Sequence, residues 1–140
     1  MTTQNQPQEF AREYYNATTM KVIIAGSRHY RDYHQFKALC DQFFQTLPPD
    51  IEIVSGGAPG TDTMGERYAA EKGYLVKVFP ADWNQYPRTA GHIRNAEMAA
   101  YGDALIAFWD GKSKGTESMI KAARRKRLKV TITILKPIVR

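Results

Sequence analysis

The sequence predicts one three-layer α/β domain built on a five-stranded, mostly parallel sheet. Five short apolar runs alternate along the chain with helical stretches of ten or more residues. This alternation is typical of parallel βαβ units joined by right-handed crossovers. The length of 140 residues suits a single hydrophobic core, so residues 20–140 are expected to form one domain.

The first half of the domain opens with an apolar run, Val22–Ala25, which predicts a buried strand. Apolar residues at intervals of three and four then predict a helix from Tyr33 to about Leu47. Pro48-Pro49 stops that helix, and Ile51–Val54 is the second predicted strand.

The middle of the chain repeats the pattern. A helix is predicted from about Asp62 to Lys72 and is closed by Gly73. The third strand, Leu75–Phe79, leads into a long polar connection, Pro80–Thr89.

The last part contains two further helices and two strands. A helix is predicted from Ala90 to about Tyr101, followed by a strand over Ala104–Phe108. After a polar loop, another helix runs to Arg127, and Val130–Leu135 is the fifth strand.

Composition indicates a globular cytoplasmic protein. Hydrophobic residues make up 43% of the chain, and no apolar run approaches the ~20 residues that span a bilayer. Residues 1–19 are polar, lack a signal-peptide core and are expected to form a flexible tail, in which Phe10, Tyr14 and Tyr15 can dock on the domain or on a partner. Cys40 lies in an apolar helical pattern and is expected to be a buried structural thiol.

The positive charge is concentrated at the C-terminal end. Residues 112–140 carry ten Lys/Arg and one acid, whereas residues 1–111 carry ten Lys/Arg and thirteen acids. The basic run Arg124–Arg127, with Lys129, is a candidate surface for nucleic acid. It equally suits a solvated helix C-terminus, where cations complement the helix dipole.

The segment Ser55–Asp62 is the strongest local signal. Its three glycines lie between a predicted strand and a predicted helix, where the backbone can approach a ligand closely. Free N–H groups at the helix start then favour an anion, most often phosphate.

Four such loops follow strands of the predicted sheet, and the carboxyl ends of parallel strands meet at one edge. We therefore expect a crevice at this edge. The predicted ligand-binding residues are Gly26, Ser27, Arg28, Ser55, Gly56, Gly57, Ala58, Gly60, Thr61, Asp82, Trp83, Arg94, Asn95, Trp109, Gly115 and Thr116.

Several of these residues have a second interpretation. Asp62 stabilises the helix dipole, accepts hydrogen bonds from ribose hydroxyls or orders the glycine loop. Glu66, four residues later, is either a solvated acid or a site group. Arg94 faces the crevice or pairs with Glu97 on the surface. The aromatic loop residues either stack on a base or pack in the core or as a lid; these are Trp83, Tyr86 and Trp109.

Two common nucleotide motifs are absent. The Gly111–Thr116 loop lacks a lysine before its threonine, so it is not a Walker A loop, and the first loop has no Gly-x-Gly-x-x-Gly. His29, His34 and His92 lack metal-ligand spacing, so we expect no metal site and no required cofactor.

Several of these segments together resemble the SLOG superfamily of Rossmann-like proteins, particularly its YspA/YpsA-related branch. The resemblance covers about residues 20–135 and implies a Rossmann-like fold that binds nucleotides or nucleotide derivatives of the ADP-ribose kind. The matching segments are Ala25–Arg28, Ser55–Ala58, Gly60–Asp62, Glu66 with Tyr68-Ala69, Phe79–Trp83, Ala90-Gly91, Arg94-Asn95, Met98 and Asp103–Thr116.

Two relatives within the superfamily suggest different activities. LOG-type phosphoribohydrolases carry an essential glutamate shortly after a Gly-Gly-x-Gly-Thr loop. Here Met64 stands three residues after Thr61 and Glu66 two later, so the resemblance assigns no catalytic carboxylate. DprA-type relatives bind single-stranded DNA and have a Ser-Gly-x-Ala-x-Gly loop, which Ser55–Gly60 fits, but the chain lacks DprA's extra domains.

The leading hypothesis is binding of a nucleotide-derived small molecule by a sensor, carrier or sequestering protein. The alternative is an N-glycosidic nucleotide hydrolase in which Glu66 or Asp62 is catalytic, and a lesser alternative is DprA-like binding of single-stranded DNA. The resemblance also implies a homodimer or larger homo-oligomer.

Overall fold

Residues 19–136 are described by the structure, a computed structural model, and form a five-stranded sheet with two helices on each face. The expectations for the tail and for residues 137–140 lie outside this range. The strands are β1 (Met20–Gly26), β2 (Ile51–Ser55), β3 (Leu75–Val78), β4 (Ala104–Trp109) and β5 (Lys129–Ile134), and the helices are α1 (Tyr33–Phe44), α2 (Thr61–Lys72), α3 (Ala90–Tyr101) and α4 (Lys114–Arg125).

The sheet has the order β3-β2-β1-β4-β5, and all four strand pairings are parallel. The predicted α/β fold is therefore confirmed. From β1 the chain builds outward to β2 and β3, then returns to the other side of β1 for β4 and β5. This reversal leaves a crevice between the loops that follow β1 and β4.

The central strand is buried on both faces, which explains its unbroken apolar sequence. Val22 and Ile24 pack against α1 and α2 in a cluster that includes Phe36 and Tyr68. Ile23 and Ala25 pack on the other face, against α3 and α4. Burial on both faces fixes the position of β1, and with it the loop that starts the crevice.

Cys40 confirms the expectation of a structural thiol. It is fully buried in α1 and forms no disulfide within the described residues. Burial, with a smaller contribution from Asp41, raises the pKa of the thiol to about 12. Cys40 is therefore protonated at neutral pH and unreactive.

Two helices end earlier than predicted. The first stops at Phe44 rather than near Leu47, because the chain tightens into i to i+3 hydrogen bonds from Thr46 and Leu47 before the two prolines. The last stops at Arg125 rather than Arg127. Arg127 takes a left-handed φ of 61°, and Leu128 N–H bonds back to the Ala123 carbonyl.

No helix within residues 19–136 is long and apolar enough to cross a membrane.

The edge strand β3 exposes much of its apolar surface. Leu75 is 71% exposed, and Val76 and Val78 are 39% and 43% exposed. Lys77 lies between the two valines.

The loops after β1 and β2 are tied together before either reaches the crevice. Thr61 donates both its backbone N–H and its hydroxyl to the Ser27 carbonyl, at 3.1 and 2.9 Å. Gly60, at φ 78°, lies so close to this loop that an added Cβ would stand 2.4 Å from the Arg28 carbonyl oxygen. Only glycine fits there.

Substituting Gly60 with alanine should therefore lower the free energy of unfolding by about 3 kcal/mol, because backbone strain and a backbone clash act together. Gly73→Ala is the matched control. It also has a positive φ of 76° but has open space around the added Cβ, so a loss of about 1 kcal/mol is expected. Urea-induced unfolding measures both, and equal losses would contradict the loop contact.

Candidate functional site

A cavity of about 310 Å³ occupies the predicted crevice, and nine of the residues predicted for the site line it. Its walls come from the loops after β1 and β2, the start of α2, the connection after β3, and the N-terminal halves of α3 and α4. The nine are Gly26, Arg28, Ala58, Asp62, Trp83, Arg94, Asn95, Gly115 and Thr116.

The other nine predicted residues do not line the cavity. Several support the wall residues from behind, through contacts described below. This group consists of Ser27, Ser55, Gly56, Gly57, Gly60, Thr61, Glu66, Asp82 and Trp109.

Arg94 connects the two sides of the crevice. Its Nη1 donates to the Gly56 carbonyl at 2.6 Å, and its Nε donates to Asn95 Oδ1 at 3.0 Å. Burial lowers the pKa of the guanidinium, and the negative charge of Asp62 opposes that shift. Pairing with Glu97 is not found, because the hydrogen bonds at Nη1 and Nε hold the side chain against the glycine loop.

Gly56 explains why the loop needs a residue without a side chain. A Cβ at this position would lie 2.6 Å from Arg94 Nη1 and 3.0 Å from Asp62 Oδ2. The bare backbone therefore lets a cation and a carboxylate approach the same peptide.

Asp62 is the buried charge of the site. Its side chain is 6% exposed, and Oδ2 accepts a hydrogen bond from the Ala58 N–H at 3.1 Å. Burial raises the pKa of the carboxyl from 3.8 to about 6, although the Ala58 N–H and Arg94 act in the opposite direction. A carboxyl group in a cleft whose pKa is strongly raised by burial is typical of a functional site.

The Glu66 side chain does not line the cavity, although it is four residues from Asp62 on the same helix. Its Oε2 accepts from Ser55 Oγ at 2.6 Å, and Ser55 Oγ accepts from the Gly57 N–H at 3.1 Å. Glu66 thereby orders the glycine loop from behind. The catalytic role predicted for it remains a prediction.

The hydroxyls of Ser27 and Thr61 make hydrogen bonds within and between the loops after β1 and β2. Thr61 is the first residue of α2 and bonds Ser27, as described above, while Ser27 Oγ accepts from the His29 N–H at 3.2 Å. Both hydroxyls therefore order the loops after β1 and β2.

The start of α4 is organised by Ser113, whose hydroxyl accepts the Thr116 N–H. The Ser113 carbonyl in turn accepts from Trp109 Nε1 at 3.1 Å. Trp109 thus anchors the loop after β4. It packs against the α3 and α4 side of the core, which is the packing interpretation.

Trp83 is the aromatic residue that reaches the cavity. It is 48% exposed and lies over Gly91, where an added Cβ would meet its ring at 3.2 Å. Asp82 accepts the Gln85 N–H and so shapes the connection that carries the tryptophan. An exposed indole face beside a polar cavity can stack on a base.

The cavity wall is strongly cationic. Among the residues that the structure describes, Arg28, Arg88, Arg94 and Lys114 line it, against the single carboxylate of Asp62. The arrangement suits an anionic ligand that also presents hydrogen-bond donors to Asp62.

Sequence reasoning missed part of this wall. Arg88 and His92 lie two or more residues before Arg94 on the α3 side, and Lys114 and Ser118 occupy one face of α4, four residues apart. The available signal was helical spacing, because His92 lies three residues before Asn95 on α3 and Ser118 lies three residues after Gly115 on α4. The missed lining residues are Ala25, Arg88, Gly91, His92, Met98, Ser113, Lys114, Ser118 and Met119.

Comparisons with known proteins assign the family. Residues 20–86 match the family described as YspA, cpYpsA-related SLOG. The Gene 61 protein of Mycobacterium phage D29 is 34% identical over 112 residues, covering 75% of this chain and 89% of the phage protein. The chain belongs to the SLOG superfamily.

Two solved DNA processing proteins share the fold of this SLOG chain. DprA from Streptococcus pneumoniae superposes with a TM-score of 0.65 at 19% identity, over 81% of this chain and 50% of DprA. DprA from Helicobacter pylori, whose structure is described in terms of single-stranded DNA binding, gives 0.64 at 20% identity, over 85% and 67%. The SLOG chain thus spans half to two thirds of these proteins.

Asp62→Asn should stabilise the ligand-free protein at high pH. The folded-state pKa of Asp62, about 6, lies above the unfolded value near 3.8. The stability that the protein has with this carboxyl protonated is therefore fully present below about pH 4. It is lost as the pH rises through 6 and the buried group ionises. We expect the variant to gain about 2 kcal/mol in free energy of unfolding at pH 8 and little at pH 4.

Urea unfolding at the two pH values measures this difference. Glu97→Gln, an exposed change on α3, serves as the control and should shift stability by less than about 0.5 kcal/mol at both. Destabilisation of Asp62→Asn at pH 8 would contradict the desolvation argument.

Proposed function

We propose that the chain binds a nucleotide or a nucleotide-derived small molecule in the crevice, as a sensor, carrier or sequestering protein. The observation that carries this proposal is the cavity wall, in which four cationic side chains and one buried carboxylate line the same cavity. Membership of the SLOG superfamily and the DprA-like fold support a role in binding nucleotides or nucleic acid.

The three kinds of wall residue match the three parts of a nucleotide. Arg28, Arg88 and Lys114 supply cations for phosphate oxygens, and Asp62 accepts hydrogen bonds from ribose hydroxyls. Trp83 offers a face for the base. Arg94 is engaged by Gly56 and Asn95, so its main task is to hold the wall in place.

A panel of ribonucleoside monophosphates and their parent nucleosides tests the proposal by calorimetry, beside native mass spectrometry of protein purified from cells. We expect at least one monophosphate to bind, and an intact nucleotide retained on purification would support binding without turnover. Failure of every monophosphate to bind with a Kd below about 1 mM, together with no nucleotide or nucleotide derivative retained on the purified protein, would overturn the proposal.

Arg28→Ala should weaken binding of the monophosphate about 10- to 100-fold, since one charge-assisted hydrogen bond contributes about 1.5–3 kcal/mol. The parent nucleoside should bind equally to both proteins. Arg28 is exposed, so folding should be unaffected, which thermal unfolding checks.

Arg124→Ala is the matched control, because Arg124 is an exposed arginine at the far end of α4. It should leave both affinities unchanged. Equal losses for the nucleotide and the nucleoside in Arg28→Ala would show that Arg28 does not contact phosphate.

N-glycosidic hydrolysis is the second candidate, and the raised pKa of Asp62 favours it, since a carboxyl that titrates at about 6 can donate or accept a proton near neutral pH. Release of free base from a bound monophosphate would establish this activity. Asp62→Asn should then abolish turnover, whereas Glu66→Gln with unchanged turnover would remove Glu66 from the mechanism.

Binding of single-stranded DNA is the lesser alternative, suggested by the printed description of the H. pylori protein. An oligonucleotide that used the crevice would compete with the monophosphate and would bind with a steep salt dependence. Salt-dependent binding without competition would instead point to the basic run Arg124–Arg127.

A further inference from the structure

A serine and a histidine meet on the cavity wall, where α3 and α4 pack together. His92 Nδ1 lies 2.8 Å from Ser118 Oγ, and both residues line the cavity. Neither side chain is needed by the nucleotide contacts proposed above. Their position lets a bound molecule reach the hydroxyl directly.

Asn95 determines the direction of the hydrogen bonds in this cluster. Arg94 Nε donates to its Oδ1, and its Nδ2 lies 3.3 Å from the Gly115 carbonyl, so the amide orientation is fixed by a donor on one side and an acceptor on the other. The same Nδ2 donates to Ser118 Oγ at 3.2 Å. Ser118 therefore accepts from Asn95 and can donate its own proton to His92 Nδ1.

One cation of the cavity wall shares a helix face with Ser118. Lys114 is one helical turn before Ser118, on the same face of α4, and lines the cavity. The first turn of α4 also has backbone N–H groups without intrahelical partners. Lys114 is an exposed side chain whose Nζ lies 3.9 Å from Glu117 Oε1, so its charge favours an anionic ligand in the cavity and does not form a fixed site for negative charge beside Ser118.

We propose that Ser118 and His92 are the nucleophile and general base of an esterase activity. The substrate is a carboxylic ester on a hydroxyl of a crevice-bound nucleotide derivative. Asn95 is the positioning residue. The reactivity of Ser118 rests on its own geometry, and only the identity of the substrate rests on the proposed function.

The chemistry proceeds in two balanced steps. Ser118 Oγ attacks the ester carbonyl carbon and passes its proton to His92 Nδ1; the bond from carbon to the ribose oxygen breaks, and that oxygen leaves with the proton from His92. Water then attacks the acyl-serine, with His92 again accepting and returning a proton, and releases the carboxylic acid.

A fluorophosphonate probe tests the nucleophile without knowledge of the substrate. Ser118 Oγ forms a bond to phosphorus, fluoride leaves, and the serine proton goes to His92. Intact mass and peptide mapping of the full chain should show one adduct, located on Ser118. Ser118→Ala should abolish it, and His92→Gln should slow labelling about 100-fold or more.

His34→Gln is the matched control, because His34 is an exposed histidine on α1 outside the cavity, and it should label at the unaltered rate. Thermal unfolding of each variant separates loss of reactivity from loss of folding. A wild-type protein that is not labelled at Ser118, or whose labelling does not depend on His92, would overturn the proposal.

The two proposals fail separately. Nucleotide binding with no adduct at Ser118 overturns only the esterase. A His92-dependent adduct in a protein that binds no nucleotide supports the reactive pair and overturns the proposed function. Where both hold, the bound nucleotide should slow labelling, because the probe and the ligand share one cavity.

Discussion

The hydrogen bond from the Arg94 guanidinium to the Gly56 carbonyl is the constraint on which the crevice depends. It joins α3 to the loop after β2, two elements that the sheet alone does not bring together. It also requires a glycine at position 56 and a partner, Asn95, that holds the other edge of the guanidinium. Because Asn95 reaches on to α4, Arg94 and Asn95 together connect α3 with the loop after β2 and with α4.

This connection places a cation near Asp62 without making a tight ion pair, and the consequence is electrostatic. Asp62 remains only partly compensated, since burial outweighs the combined effect of Arg94 and the Ala58 N–H on its pKa. Such a group is stabilised when a ligand brings donors to it. The burial of Asp62 therefore lowers the stability of the ligand-free protein but favours ligand binding, as is common in preformed binding sites.

The fold was largely predictable, because periodic apolar runs and glycine or proline breaks are local signals. Helix ends were less so: the early stop at Phe44 and the left-handed turn at Arg127 depend on hydrogen bonds that close after the helix. The directions of side chains were the feature that the sequence predicted least well. The sequence places Asp62 and Glu66 on one face of α2, but only the packed structure shows that Ser55 draws Glu66 behind the loop. The pairing of His92 with Ser118 depends on how α3 packs on α4, which no local pattern encodes.

The exposed edge of β3 has a consequence for how the chain behaves in a crowded solution. A short apolar strand with free N–H and C=O groups along one side is a template on which another strand can add. Lys77 lies in the middle of this strand, flanked by Val76 and Val78. Two such edges pairing at their centres would bring two ammonium groups together, so Lys77 disfavours the pairing of two β3 edges.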